Sequence, residues 1–295
     1  MRELSPKEAY ITLMRNLITA RGERDTLPDE KEDAFADALD RRRAEMSAEE
    51  AREVEVELSH LLSGLHISDE DCDYAERVSI LGSWSGKHNT IALAKRALAE
   101  GIPGDFAECG VHSGGHPALM GYVLRRYGGA ADAGRRVHLF DSFEGHPMAG
   151  LKDEPAYQKQ LGINPDPSVG RPSGIFLATI EQCRENMRNW GAPEDRLTYH
   201  VGWLQEVLPK IARDFPPLAL LRVDVDLHDS TVPVFEYLYD KVSPGGFIIS
   251  DDWGETDGYD ACRQATHDFF DRRGIPRPEV TRLPVTPGTV WWRKA

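Results

Sequence analysis

The sequence predicts an α/β protein: a doubly wound, largely parallel β-sheet of seven strands, the last pair antiparallel, behind a helical N-terminal extension. Three observations predict it. From about residue 88, short apolar runs alternate with helical ones, the order that buries parallel strands between two helical layers. A glycine-rich turn, ECGVHSGG (108–115), follows the first strand and opens a helix. Carboxylates stand where two later strands run out, at Asp224 and at Asp251-Asp252.

The elements follow in order. Ser5-Pro6-Lys7-Glu8 supplies a cap residue, a proline at the first helical position and a glutamate three after the cap. Tyr10, Ile11, Met14, Leu17 and Ile18 then share one helical face. Ser47-Ala48-Glu49-Glu50 repeats the capping pattern ahead of Val54, Val56, Leu58, Leu61 and Leu62. Residues 1–80 are therefore expected to be a helical extension used as a lid or an oligomer contact, and 81–295 the main domain. HNTIALAKRALAE (88–100) is helical. DFAECGV (105–111), RRVHLFDS (135–142), RLTYHVG (196–202), LALLRVDVD (218–226) and GGFIISDD (245–252) are strands. PALMGYVLRRYG (117–128), ATIEQCRENMRNW (178–190), TVPVFEYLYDKV (231–242) and GYDACRQATHDFFDRRG (258–274) are the intervening helices. EVTRLP and TVWWRK, joined by a short turn, form the antiparallel edge. Residues 145–177 lack periodicity and read as a long functional loop or lid.

Composition excludes several classes. The chain has 295 residues and a net charge of −14, so it lacks the basic surface a nucleic-acid binder needs. No apolar run is long enough to cross a bilayer, and the first residues carry no signal-peptide core. The four cysteines, Cys72, Cys109, Cys183 and Cys262, form no CxxC, which suits reduced cytosolic thiols and no zinc site. A cytoplasmic protein is expected.

The strand ends carry the chemistry. Parallel sheets place ligands outside the carboxyl ends of their strands. Three acids converging there repel one another unless a cation lies between them, and Mg²⁺ is a hard ion held by a few carboxylates. Asp224, Asp251 and Asp252 are thus the expected metal ligands, with Asp226 the rival two residues on, on the same side of a strand. Capping of the following helices is the competing use of Asp226, Asp229, Ser230, Asp252 and Glu255. In the glycine turn, Glu108 suits a cationic ligand better than a pyrophosphate. S-adenosylmethionine carries a sulfonium and an ammonium and no phosphate. Asp141 ends the second strand, as a ribose-binding acid or a turn cap; Trp203, after the third, either stacks on adenine or packs in the core.

With these pieces in order, the chain resembles the TylF/MycF family of macrocin-type O-methyltransferases. GIPGDFAECGVHSGG (101–115), VHLFDSFEG (137–145), YHVGWLQEVLP (199–209), LRVDVDLHDST (221–231) and SPGGFIISDDW (243–253) carry the likeness, which runs from about residue 75 to the end. The resemblance implies a class I, Rossmann-like methyltransferase domain that uses S-adenosylmethionine and Mg²⁺. It implies cofactor contacts at Glu108, Gly110, Ser113, Asp141, Ser142 and Trp203. It also implies Asp224 as ligand and general base, completed by Asp251 and Asp252. Two departures stand out: His228 where relatives often carry tyrosine, and His112-Ser113 in place of an aromatic-basic pair.

The expected reaction is methylation of a hydroxyl on a small molecule, a sugar of a glycosylated natural product or a nucleotide sugar. A phenol or catechol acceptor and a non-catalytic cofactor-binding module are the alternatives. A bound metal lowers the pKa of a coordinated oxygen, and a nearby base, Asp224 or His228, takes the proton. His267, Trp291 and Trp292 are read as packing residues. The expected partners are a small hydroxyl-bearing substrate and further copies of the chain, as in antibiotic biosynthesis, with no membrane and no nucleic acid.

Overall fold

The computed structural model describes residues 5, 10, 44–47, 50, 54, 67–79, 84–254, 260–283 and 288–295. The Ser5–Glu8 cap and most of the apolar faces expected within 1–66 lie outside the described residues. The second capping box is present: Glu50 N donates to Ser47 Oγ at 3.2 Å and Ser47 N to Glu50 Oε2 at 2.9 Å.

Seven strands, β1 (Asp105–Cys109), β2 (Val137–Asp141), β3 (Leu197–Val201), β4 (Leu218–Val223), β5 (Val242–Ser250), β6 (Thr281–Arg282) and β7 (Val290–Arg293), lie in the order β3-β2-β1-β4-β5-β7-β6. The first five are parallel. β7 inserts antiparallel between β5 and β6, so the terminal pair is antiparallel, as expected. Chain order reverses between β1 and β4, the switch point at which such sheets open a crevice. Every residue of β4 is buried, as a strand covered on both faces requires.

Two apolar layers cover the sheet. One packs α1 (Asp69–Arg77), α2 (Trp84–Ala99), α3 (Gly115–Tyr127) and α5 (Ile180–Asn189) through Tyr74, Leu93, Leu119 and Met187. The other packs α6 (Leu204–Ile211), α7 (His228–Leu238) and α8 (Ala261–Arg273) through Leu208, Phe235 and Phe269. Trp291 and Trp292 fall on opposite layers, both buried, as packing residues should. α1 lies inside the span read as an extension, yet Cys72 and Tyr74 share the main core. Buried Asp71 ties α1 down by accepting from Lys95 Nζ at 2.8 Å, Tyr127 Oη at 2.7 Å and Tyr122 Oη at 3.1 Å.

Several elements differ from the sequence reading. β4 ends at Val223, not Asp226. α6 lies where no helix was predicted. The 145–177 segment is a small lobe with its own helix α4 (Pro155–Leu161) and two bridges (Pro147 to Pro172 and Ala149 to Ile163), and its Ala149 and Leu161 pack with Leu227, the residue before α7. Among the described residues, no helix is long and apolar enough to cross a membrane.

Candidate active site

A cavity of about 340 Å³ opens at the carboxyl ends of β1, β2, β4 and β5. Its floor is a charge cluster built on sheet register. Glu108 on β1 and Arg222 on β4 are direct partners across the parallel pair. Arg222 is 2% exposed; Nη1 contacts Glu108 Oε1 and, at 2.6 Å, Asp224 Oδ2, while Nη2 reaches Asp251 Oδ1 at 2.7 Å. A charge inside an apolar run thus neutralises part of the acidic rim. Sequence reasoning passed over Arg222, because a lone arginine in LALLRV carries no signal until β1 lies beside it.

Asp224 also belongs to a second group of acids. Oxygens of Asp224, Asp226 and Asp252 lie within 4.8 Å of one another. Asp226 arrives by a turn rather than along a strand: its φ is +58°, and Leu227 N donates to Val225 O at 2.6 Å. Asp252 Oδ2 holds that turn, accepting from Val225 N at 3.0 Å and Asp226 N at 2.8 Å. Asp251 lines the cavity, but its Oδ1 is taken by Arg222 and by Thr289 Oγ1 at 2.9 Å. Burial and crowding by like charges push Asp224 and Asp252 up. Asp224 rises to about 7 through burial and the Asp251 and Asp226 carboxylates, against the pull of Arg222. Asp252 is also raised, by burial and by Asp226, Asp224 and Asp251.

The cofactor-side residues are placed as follows. Glu108 is buried, and burial raises it to about 8 against Arg222; its Oε2 has no hydrogen-bond partner. Gly110 has φ +84°, and a Cβ there would lie 1.7 Å from the Asp224 carbonyl oxygen. The glycine is therefore required by the close passage of β1 and β4 as well as by the cavity it lines. Asp141 Oδ1 accepts from Phe143 N at 2.7 Å and Oδ2 from His112 N at 2.9 Å, so it braces two turns and keeps a lone pair on each oxygen. Ser142 Oγ is engaged in its turn with Gly145 O and Glu144 N. Ser113 lines the cavity, and its carbonyl accepts from Asn186 Nδ2 at 3.2 Å. Trp203 is half-buried at the cavity wall. Gly170 from the 145–177 lobe lies against its indole, where a Cβ would come 1.9 Å from Cγ.

His228, expected as a base, does not line the cavity, whereas His146 does. His228 opens α7, which starts three residues earlier than predicted and is capped by Asp153: His228 N donates to Asp153 Oδ1 at 2.7 Å. Its ring is buried outside the cavity lining, with Nδ1 3.0 Å from Asp229 Oδ1 and Nε2 3.3 Å from Lys152 Nζ. His146, from the lobe, lines the cavity, with Nε2 3.2 Å from Asp226 Oδ2. Among the described residues, the non-glycine residues with positive φ are His112, Phe143, Phe176 and Asp226; each lines the cavity or, for Phe143, follows a lining residue. Strain of this kind gathers where a site fixes its geometry.

The residues present fit both a cationic cofactor and a divalent ion. Glu108 Oε2 is a buried acceptor without a donor, suited to an ammonium group. Asp224, Asp226 and Asp252 form a hard oxygen set whose repulsion a divalent ion relieves.

Comparison with known proteins bears out the methyltransferase reading. The family described as Macrocin-O-methyltransferase (TylF) matches residues 7–294, a longer span than the motifs alone carry. The chain is similar to the 8-demethyl-8-(2,3-dimethoxy-alpha-L-rhamnosyl)-tetracenomycin-C 4'-O-methyltransferase of Streptomyces olivaceus, 38% identical over 66% of this chain and 68% of that protein. It is similar to the mycinamicin III 3''-O-methyltransferase of Micromonospora griseorubida, 32% identical over 70% of this chain and 75% of that protein. Among solved structures, the O-methyltransferase NovP shares the fold, with a TM-score of 0.60 and 24% identity over 81% of this chain and 96% of that one. The chain belongs to the TylF macrocin-O-methyltransferase family and is an S-adenosylmethionine-dependent O-methyltransferase.

Proposed function

We propose that this enzyme methylates a sugar hydroxyl of a glycosylated natural product with the help of a divalent cation held by Asp224, Asp226 and Asp252. The carboxylate cluster beside the cofactor residues carries the reading, and the relatives that act on rhamnosyl-tetracenomycin and on mycinamicin support the acceptor class. When bound, S-adenosylmethionine supplies an activated methyl group and the ion lowers the pKa of an acceptor hydroxyl. The chain's own residues do the rest. Glu108 receives the cofactor's ammonium group, Asp141 its ribose hydroxyls and Trp203 its adenine on the indole face that Gly170 leaves open. Asp226, 38% exposed at its side chain, faces the cavity and accepts the hydroxyl proton. The 145–177 lobe closes the acceptor side and limits water. Holding donor and acceptor in line supplies ~7–11 kcal/mol.

The test is an assay with S-adenosylmethionine and a divalent salt against an aromatic-polyketide rhamnoside, a macrolide glycoside, a nucleotide sugar and a catechol. Methylation of a glycoside, lost on chelation and restored by the salt, is the expected result. Turnover of the catechol alone, or full activity in excess chelator, removes the proposal.

A further inference from the structure

We infer that Asp153 and Glu154 are positioning residues, through which the seating of the 145–177 lobe sets the turn that carries Asp226; the inference rests on the reading of Asp226 as proton acceptor.

Two helix ends lead there. The first N–H groups of a helix have no partner within it, and the usual remedy is the side chain of the cap residue. α7 and α8 lack that remedy: Leu227 and Asp260, their cap residues, make no side-chain cap bond. The lobe supplies it instead. Asp153 Oδ1 accepts from His228 N at 2.7 Å, and Glu154 Oε1 from Ala261 N at 2.8 Å. Both acids come from the bend that enters α4, with Glu154 as its cap residue, and the bend is fixed within the lobe. Asp153, 4% exposed, accepts from Gly150 N at 2.6 Å through Oδ2. Gln158 Nε2 donates to Gly150 O at 3.1 Å and to Asp153 O at 2.8 Å. Gly150 passes so close to α7 that a Cβ there would lie 2.0 Å from Asp229 Oδ2.

This grip falls beside the reacting group. Asp226 is held from the sheet side, where Asp252 Oδ2 accepts from its N–H at 2.8 Å. Leu227 is 1% exposed and packs with Ala149 and Leu161 of the lobe. His228 is held by Asp153. The backbone at Asp226 sits at φ +58°. A residue other than glycine keeps that left-handed conformation only where its surroundings over-determine it. Two of the three holds on 226–228 belong to the lobe. Unseating the lobe removes both, and the turn relaxes with Asp226 off the line to the acceptor hydroxyl. An acceptor that seats the lobe therefore also completes the base.

A double-mutant cycle on the full chain tests this, read as kcat/KM for the glycoside turned over in the assay above. Asp153→Ala should lower it at least ~10-fold, mainly through kcat, because a misplacement near ~1 Å can cost ~100-fold; S-adenosylhomocysteine binding in calorimetry should change by less than roughly threefold. Asp153→Asn, which keeps an acceptor for His228 N, should recover part of the loss. In the Asp226→Asn background, Asp153→Ala should cost less than roughly threefold, since residues that act as a unit are not additive. Equal losses in both backgrounds mean a cap that serves stability alone; they overturn the inference and leave the base reading intact. A harmless Asp226→Asn removes the base reading and the inference with it. Should Asp153→Ala fold poorly, hydrogen exchange on the wild type decides. The glycoside should slow exchange at Leu227 and His228 together with Gly150 and Asp153, and unchanged exchange at Leu227 and His228 overturns the inference.

Discussion

Replacing Arg222 with methionine tests the charge cluster beneath the cavity. The guanidinium is 2% exposed and meets Glu108, Asp224 and Asp251. Methionine keeps most of the volume and leaves three acids with no countercharge. Removing one partner of a buried ion pair costs ~3–5 kcal/mol, and a chain of this size loses at most ~2–4 °C of Tm per kcal/mol, so a fall of several degrees, no more than ~20 °C, is expected at neutral pH. The pH dependence sharpens the test. Glu108 stands at about 8 against an ordinary 4.5, and Asp224 at about 7 against 3.8. An acid raised by folding binds its proton more tightly in the folded state, so stability falls as pH rises from the ordinary value through the raised one. Without Arg222 both acids rise further and the decline extends to higher pH. The gap between Arg222→Met and wild type should therefore widen from pH 5.5 to pH 8.5 in urea unfolding followed by circular dichroism. A loss below ~1 kcal/mol at pH 8.5, smaller than this class of buried pair gives, would refute the reasoning. So would a gap that does not change with pH.

Other outcomes follow from the same geometry. His228→Gln should change kcat/KM by less than roughly threefold and Asp226→Asn should lower it by at least ~100-fold, in the range of general-base effects; steady-state assays compare them. Gly170→Ala drives a methyl group into the Trp203 indole; overpacking of this kind costs ~1–3 kcal/mol, expected as weaker S-adenosylhomocysteine binding by calorimetry and a changed tryptophan emission. His200 stacks on Phe140 at 4.2 Å, and burial, with His138, lowers it to about 4. A base lowered by folding contributes stability that is complete above its ordinary 6.5 and is lost as pH falls toward 4. His200→Phe should flatten that part of the stability profile.

Much of the sheet was legible because alternation of buried strands and helices is a local signal. The strands that end at Cys109, Asp141 and Ser250 follow from it, each ending one or two residues before its expected end, and so does the cavity above them. The misses have physical reasons. Asp226 was read as strand, although it bends away in a left-handed turn held by Asp252, 26 residues on. His228 looked catalytic because it follows the acids in sequence, but α7 begins there and carries its ring to Lys152. His146 lay in a segment without periodicity, and the bridges that order that segment are tertiary. α6 was missed because WLQEVLPKI is short and carries Pro209 within it.

The most direct test of the central claim is anomalous diffraction from crystals of the S-adenosylhomocysteine complex soaked in Mn²⁺. One peak bounded by Asp224, Asp226 and Asp252, and absent from Asp252→Asn crystals, is the predicted result. A fully occupied cofactor with no peak at those three side chains would contradict it.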